Sequence, residues 1–299
     1  MLTPRSFYMN PSSTINFSKP FLTIQAQITQ LKSRGMRFEN EDKAFHYLEN
    51  INYYRLSAYW LPFEKDHKSH TFTQDTLFER VLELYIFDRE LRLLMLDAIE
   101  RIEVSIRTRF AYEISQKYGS HPHLDSTLFT PQHRYKQTLE KLKSEVNRSK
   151  EPFIKHFKDK YSEALPPIWA SVELMTLGQV SHWFSSIKLR QDRQLIAKYY
   201  DLDEKILASF LHHLTIIRNI CAHHSVLWNK KLTFEFVIPK AMQEKFNIHE
   251  KRKLFNTFVM LEYLMEKIST DKQWRISIES LIDKHNIDRI ILGYGEKNE

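Results

Sequence analysis

The sequence predicts an all-α protein, and three observations carry that expectation. Apolar residues recur at three-to-four spacing almost throughout the chain, the mark of helices that each bury one stripe. No internal repeat or low-complexity tract interrupts that spacing. The one stretch that alternates even loosely, residues 232–238, is short and runs into Pro239.

The elements follow in chain order. Residues 24–35 read as a short helix with a glycine end, and residues 42–53 as another. The block Asn52-Tyr53-Tyr54-Arg55-Leu56-Ser57-Ala58-Tyr59-Trp60 is dense in aromatics and reads as core or inter-helix packing, although Tyr53, Tyr54 and Tyr59 also have rings able to stack on bases. From Leu77 through Val81, Leu84, Asp88, Leu91, Met95, Ala98, Ile102 and Ile106 to Phe110 the helical step holds for about nine turns, which predicts one long amphipathic helix stopped by Gly119 and Pro122. Residues 119–167 are polar, carry prolines at 122, 131, 152, 166 and 167, and hold a basic helical piece over 135–147. That composition is expected of an insertion or flexible arm. Pro166-Pro167 then opens a helix through Ile168, Trp169, Val172, Leu174 and Met175, closed near Gly178. Another helix runs from about residue 182 or 187 to 200, and Asp203 caps the next, through Leu207, Phe210, Leu214, Ile217 and Cys221. Residues 232–238 are expected to form a short strand before Pro239 and 251–267 a further helix. No internal repeat appears, so the reading is a helical bundle over 75–299, preceded by a helical extension over 1–74 and interrupted by the polar insertion at about 119–167.

Charge and composition narrow the function classes. Lys plus Arg exceed Asp plus Glu by 44 − 37 = +7, with 14 histidines besides. Polyanions are the natural partners, nucleic acid ahead of a membrane surface. No apolar run approaches the roughly 18 residues of a spanning helix, and the opening Met1-Leu2-Thr3-Pro4-Arg5 lacks the apolar stretch of a signal peptide. No membrane association is expected. The glycine-rich loops that cradle nucleotide phosphates are absent, and the single cysteine, Cys221, forms neither an intramolecular disulfide nor a Cys-rich zinc site. A reducing, cytoplasmic setting is expected, with no metal and no cofactor.

What stands out chemically is Arg218-Asn219-Ile220-Cys221-Ala222-His223-His224. Phe210, Leu214, Ile217 and Cys221 share the buried stripe, whereas Asn219 and His223, with His212 further back, share another face. Arg218 and His223 would point about 140° apart on an ideal helix, so they converge only if the helix ends there or if two copies face each other. The pair is what metal-free RNA cleavage requires. An imidazole, which titrates near neutrality, moves the 2′-hydroxyl proton, while a planar guanidinium holds the scissile phosphate and its developing charge. Asn219 is suited to fix the histidine by a hydrogen bond, and His224 to act as a second proton carrier. The competing reading is a helix-terminal capping cluster, since His and Arg near a C-terminus satisfy the last carbonyls and the dipole. Metal binding by His223 and His224 is disfavoured, because adjacent histidines point apart on a helix.

Residues 214–224 resemble the R-N-x-x-A-H motif of HEPN-type ribonucleases. Further segments resemble the Abi-like family of bacterial abortive-infection proteins: Lys19-Pro20 with Gln27-Ile28 and Leu31, the block 52–59, Phe87-Asp88-Arg89-Glu90-Leu91-Arg92 leading to Glu100-Arg101-Ile102-Glu103-Val104, and Pro166-Pro167-Ile168-Trp169 leading to Glu173-Leu174-Met175. The resemblance covers about residues 19–240. It implies a HEPN-type helical bundle, a metal-independent endoribonuclease of phage defence acting as a toxin, and in some relatives a small RNA partner or antitoxin. Catalysis falls on Arg218 and His223, with Asn219 and His224 as neighbours.

Around this pair, Glu103 and Arg107 stand at helical contact spacing on the long helix. They form either a solvated ion pair or, with His212, groups that orient the Arg218/His223 helix. Lys141, Lys143, Arg148, Lys230 and Lys231 are the lead candidates for RNA phosphates, within a wider set that includes Lys136, Lys150, Lys155, Lys158, Lys160, Lys251, Arg252 and Lys253. One Arg/His pair is a poor site, and two copies at a two-fold axis supply both an acid and a base, so a homodimer is expected, with 2′,3′-cyclic phosphate and 5′-hydroxyl products. The rival reading is a non-catalytic helical module that binds RNA or protein in a defence or toxin–antitoxin system.

Overall fold

The computed structural model describes residues 18, 20–269 and 272–295, so Lys19 and residues 1–5, singled out above, lie outside the described residues. The chain is all-α apart from one small hairpin, and it divides after Leu82 into two compact units.

In the first unit, α1 (Ile24–Ser33) starts where Thr23 accepts the Ala26 N–H, and α2 (Glu41–Asn50) where Asn40 accepts that of Lys43. The aromatic block is itself a helix, α3 (Tyr53–Trp60), with Tyr59 buried and Tyr54 exposed. Strands β1 (Glu64–Asp66) and β2 (Thr71–Phe72) pair antiparallel. The long helix of the periodic stretch, α4 (Phe78–Tyr118), begins in this unit and belongs from Glu83 on to the second, and it ends where Gly119 takes a positive φ of 82°.

The second unit adds α5 (Gln132–Arg148), α6 (Pro152–Lys160), α7 (Ile168–Ser171), α8 (Leu177–Ser186), α9 (Arg190–Lys198), α10 (Glu204–Ala222), α11 (Leu254–Ile268), α12 (Gln273–Lys284) and α13 (Arg289–Leu292). Asp203 caps α10 by accepting the Lys205 N–H. Beneath these helices α4 buries Leu91, Met95, Ala98, Ile102, Ile106 and Phe110.

Three expectations are corrected. The helix opened by Pro166-Pro167 stops at Ser171, and a 3-10 turn over Val172–Leu174 follows. Gly178 does not close it but lies in the first turn of α8, where an added Cβ would stand 3.1 Å from the Thr215 methyl of α10. Residues 232–238 form no strand. Their polar groups are met from elsewhere: the Leu232 N–H reaches the Arg252 carbonyl, the Val237 N–H reaches Ser209 Oγ, and the Phe234 carbonyl accepts from His213. Finally, the polar arm is packed rather than loose, because α5 buries Tyr135, Leu142 and Val146 and sets Tyr135 edge-on to Trp183 of α8.

Neighbouring contacts give the direction of these helices. Residue 178 lies beside 215 and residue 182 beside 212, so α8 and α10 are antiparallel. Phe129 pairs with Ile187 and Tyr135 with Trp183, so α5 also runs antiparallel to α8. Consequently α5 and α10 both head toward the start of α8. No helix among the described residues is long and apolar enough to cross a membrane.

Candidate functional site

The motif occupies the C-terminal end of α10. The helix is regular through Ala222, His223 is its C-cap, and His224 takes the left-handed conformation at φ 55°. The Ser225 N–H bonds the Ile220 carbonyl at 2.9 Å and the His224 N–H bonds that of Cys221 at 3.1 Å. These two bonds form the Schellman arrangement, in which backbone alone closes the helix. Neither Arg218 nor His223 supplies a side chain to it, and the capping-cluster reading therefore loses its function for these two groups.

Directly after the motif the chain is clamped from α4. Asp88, fully buried, accepts the N–H groups of Leu227 at 3.2 Å and Trp228 at 2.8 Å, and it pairs with Arg92, whose Nη1 donates to the Ser225 carbonyl at 3.2 Å. A carboxylate in the apolar stripe of α4 is thereby explained, since it holds the segment that places His223. Cys221 lies against the same pair with its thiol pushed up to about 12 by burial, which leaves it a core residue and no nucleophile.

Arg218 points to a different part of α4. Its guanidinium acts on the charge of Glu103 and its Nη1 donates to Asn219 Oδ1 at 3.4 Å. Glu103 pairs with Arg107, takes a backbone hydrogen bond from Leu177 at the start of α8, and has its carboxyl held above the usual range, by burial first. Arg107 donates also to the Met175 carbonyl. Glu103 and Arg107 are thus largely enclosed rather than solvated, and they link α4 to the turn before α8 and to Arg218.

Other candidates fall elsewhere. Asn219 bonds Arg218 rather than the histidine ring, and its link to His223 is the backbone bond at 3.0 Å. His212 lies about 16 Å of helix rise before His223, so it is no neighbour of the pair. Its ring stands edge-on to Phe234, and its charge acts on His182 of α8. Lys143 pairs with Glu140 and Arg148 with Glu145, both at 2.8 Å, whereas Lys141, Lys230 and Lys231 have no acidic partner among the described residues. Sequence reasoning missed Arg134 and His182, which lie beside Lys141 and His212.

Within one chain no hydrogen bond joins Arg218 to His223 among the described residues. Two clefts, of about 990 and 610 Å³, lie away from the motif: the first is lined by Arg190, Gln194 and Asp203, the second by Tyr112, Trp169 and Glu173. Among the described residues no group of three or more His, Cys, Asp or Glu side chains could hold a metal ion.

Compared with known proteins, the chain matches the family model described as Abi-like protein over residues 46–229, which takes in α4, the Glu103/Arg107 pair and the whole motif. No curated protein and no solved structure matches the chain.

Proposed function

Because the chain belongs to the Abi-like family, we propose that it is a phage-defence protein of abortive infection whose activity is HEPN-type endoribonucleolytic cleavage. One observation carries the reading. At the exposed end of α10, Arg218 is held by Asn219 and by the charge of Glu103 while His223 stands outside the helix, and neither side chain serves the cap or the core.

The chemistry follows from the groups. The imidazole of His223 takes the proton of a ribose 2′-hydroxyl, the oxygen attacks the adjacent phosphorus, and Arg218 stabilises the charge that gathers on the phosphoryl oxygens. A second imidazole returns a proton to the departing 5′-oxygen. The products are a 2′,3′-cyclic phosphate and a 5′-hydroxyl. Since Arg218 and His223 diverge within one chain, a homodimer brings each Arg218 toward the partner's motif and supplies both imidazoles. The substrate is RNA, and a small RNA or antitoxin is the expected restraint.

The test is an RNA digest in EDTA, with end-group mapping, on wild type beside Arg218→Ala and His223→Ala. Each substitution is expected to lower cleavage by about a thousandfold, the scale of losing a charge-stabilising or proton-transfer group, with the melting temperature unchanged. Mixing the two inactive variants should restore part of the activity if the site is built from two chains. Full cutting by His223→Ala would overturn the reading, and RNA binding without cutting by the wild type would favour a non-catalytic module.

A further inference from the structure

Two cations and two imidazoles collect on one surface of the second unit without a carboxylate partner. Arg134 and Lys141 lie seven residues apart on the exposed side of α5, His182 is exposed on α8, and His212 is exposed on α10. None has an acidic partner among the described residues, although Lys143 and Arg148 on the same α5 are each neutralised by a glutamate. The packing explains why they meet. Tyr135 against Trp183 brings residue 134 beside residue 182, and the approach of Gly178 to Thr215 brings residue 182 beside residue 212. The charges feel one another: solvent reaches the His182 ring, yet flanking protein, then Arg134, Lys141 and His212 in turn, hold its charged form below the usual histidine range.

The strip also has a direction. Because α5 and α10 both run toward the start of α8, Lys141 lies about 10 Å nearer that end than Arg134. At that end Glu103 bonds the Leu177 N–H and acts on Arg218. On α10 itself, His212, Asn219 and His223 share one exposed face.

We propose that Arg134, Lys141, His182 and His212 form a phosphate-binding track on which a single RNA strand lies across α5, α8 and α10 on its way to Arg218 and His223. This deepens the ribonuclease reading and rests on it for the identity of the polyanion. A single row of two cations and two imidazoles able to donate N–H matches one phosphodiester backbone, and cations without a carboxylate partner gain more from phosphate than cations already bound to one. The track gives affinity and direction without reading bases.

The experiment uses a fluorescein-labelled 20-nucleotide 2′-O-methyl RNA, which has no 2′-hydroxyl to attack, in fluorescence anisotropy between 50 and 200 mM salt. Arg134→Gln/Lys141→Gln is compared with Arg190→Gln/Lys284→Gln, which removes equal charge from residues already paired to Asp203 and Glu90. The track double variant is expected to bind about tenfold more weakly and to flatten the slope of log affinity against log salt by about 1.4, that is two contacts at about 0.7 each. In the cleavage assay its KM for RNA should rise by a similar factor. Equal losses in both double variants would reduce the effect to net charge and overturn the track. Unchanged RNA affinity in the track variant would also overturn it and point instead to an acidic protein on this surface. The two readings separate: weaker binding by the track variant when even the wild type does not cut supports the track and removes the nuclease, while normal cutting with unchanged KM keeps the nuclease and removes the track.

Discussion

His212 and His213 are neighbours in sequence on one helix, and both touch Phe234, yet their surroundings differ. His213 is buried, its Nδ1–H donating to the Phe234 carbonyl at 3.3 Å and its Nε2 accepting from the Thr257 hydroxyl at 2.9 Å, a tautomer fixed because a carbonyl can only accept. His212 is exposed beside His182, the ring on which Arg134 and Lys141 also act. The same contrast separates two ion pairs of α4. Asp88 and Arg92 are fully engaged with the backbone beyond the motif, whereas Glu103 and Arg107 leave enough field to act on Arg218. A polar residue in this protein is thus structural or available according to the helix face it occupies, and residue type alone does not decide which.

The comparison breaks most visibly at Asp88. Asp88→Ala leaves the buried Arg92 guanidinium uncompensated and two N–H groups without an acceptor, and losing one member of a buried pair costs about 3–5 kcal/mol. The melting temperature is expected to fall by about 10 °C, and Asp88→Asn, which keeps an acceptor, by less. Calorimetry decides it: an Asp88→Ala protein that melts with the wild type would show that the clamp behind the motif does not stabilise the fold.

Much of this division could be read in the sequence, and the failures have physical causes. The period of α4 and the Asp203 cap are local signals, and both appear in the structure as expected. The Arg218–His223 segment was conspicuous because polar groups interrupt an otherwise apolar helix. Asp88 sat in an apolar stripe without an evident reason, since its partners are backbone groups about 140 residues later in the chain. Gly178 read as a helix end because glycine often closes helices, yet here it permits the close approach of α8 and α10. Residues 232–238 alternate as a strand does, but side chains and loop backbone meet their polar groups instead of a neighbouring strand. Arg134 and His182 were missed for the same reason as Asp88: their company comes from other helices.

A smaller effect separates the two histidine environments by pH. Burial pushes His213 down to about 4 from an ordinary 6.5, so between those values the unfolded chain binds a proton that the folded chain refuses. Stability that is complete above pH 6.5 is therefore lost as pH falls toward 4, by about 3 kcal/mol for this ring. Urea unfolding at pH 7 and pH 4.5, for wild type and His213→Gln, isolates the contribution because every other titration cancels in the difference. The variant is expected to lose about 2–3 kcal/mol less than the wild type over that interval, and equal losses would mean that His213 does not set the acid response.

The finest distinction lies between the two groups that hold Arg218. Glu103 is enclosed, so its charge reaches the guanidinium with little screening, while Asn219 is exposed and its bond to Arg218 is long at 3.4 Å. Glu103→Gln keeps an acceptor for the Leu177 N–H but removes the charge, and kcat for RNA cleavage is expected to fall about tenfold, equivalent to roughly 1.4 kcal/mol of lost positioning, with KM held and the melting temperature lowered less than in Asp88→Ala, because Arg107 keeps the Met175 carbonyl. Asn219→Ala should cost a factor of only two to three, because at an exposed position water replaces the amide at little free-energy cost. Steady-state kinetics on one RNA substrate order the two. If Asn219→Ala were the more damaging, Arg218 would be aimed by its sequence neighbour rather than from α4, and the enclosed Glu103/Arg107 pair would serve only to join α4 to α8.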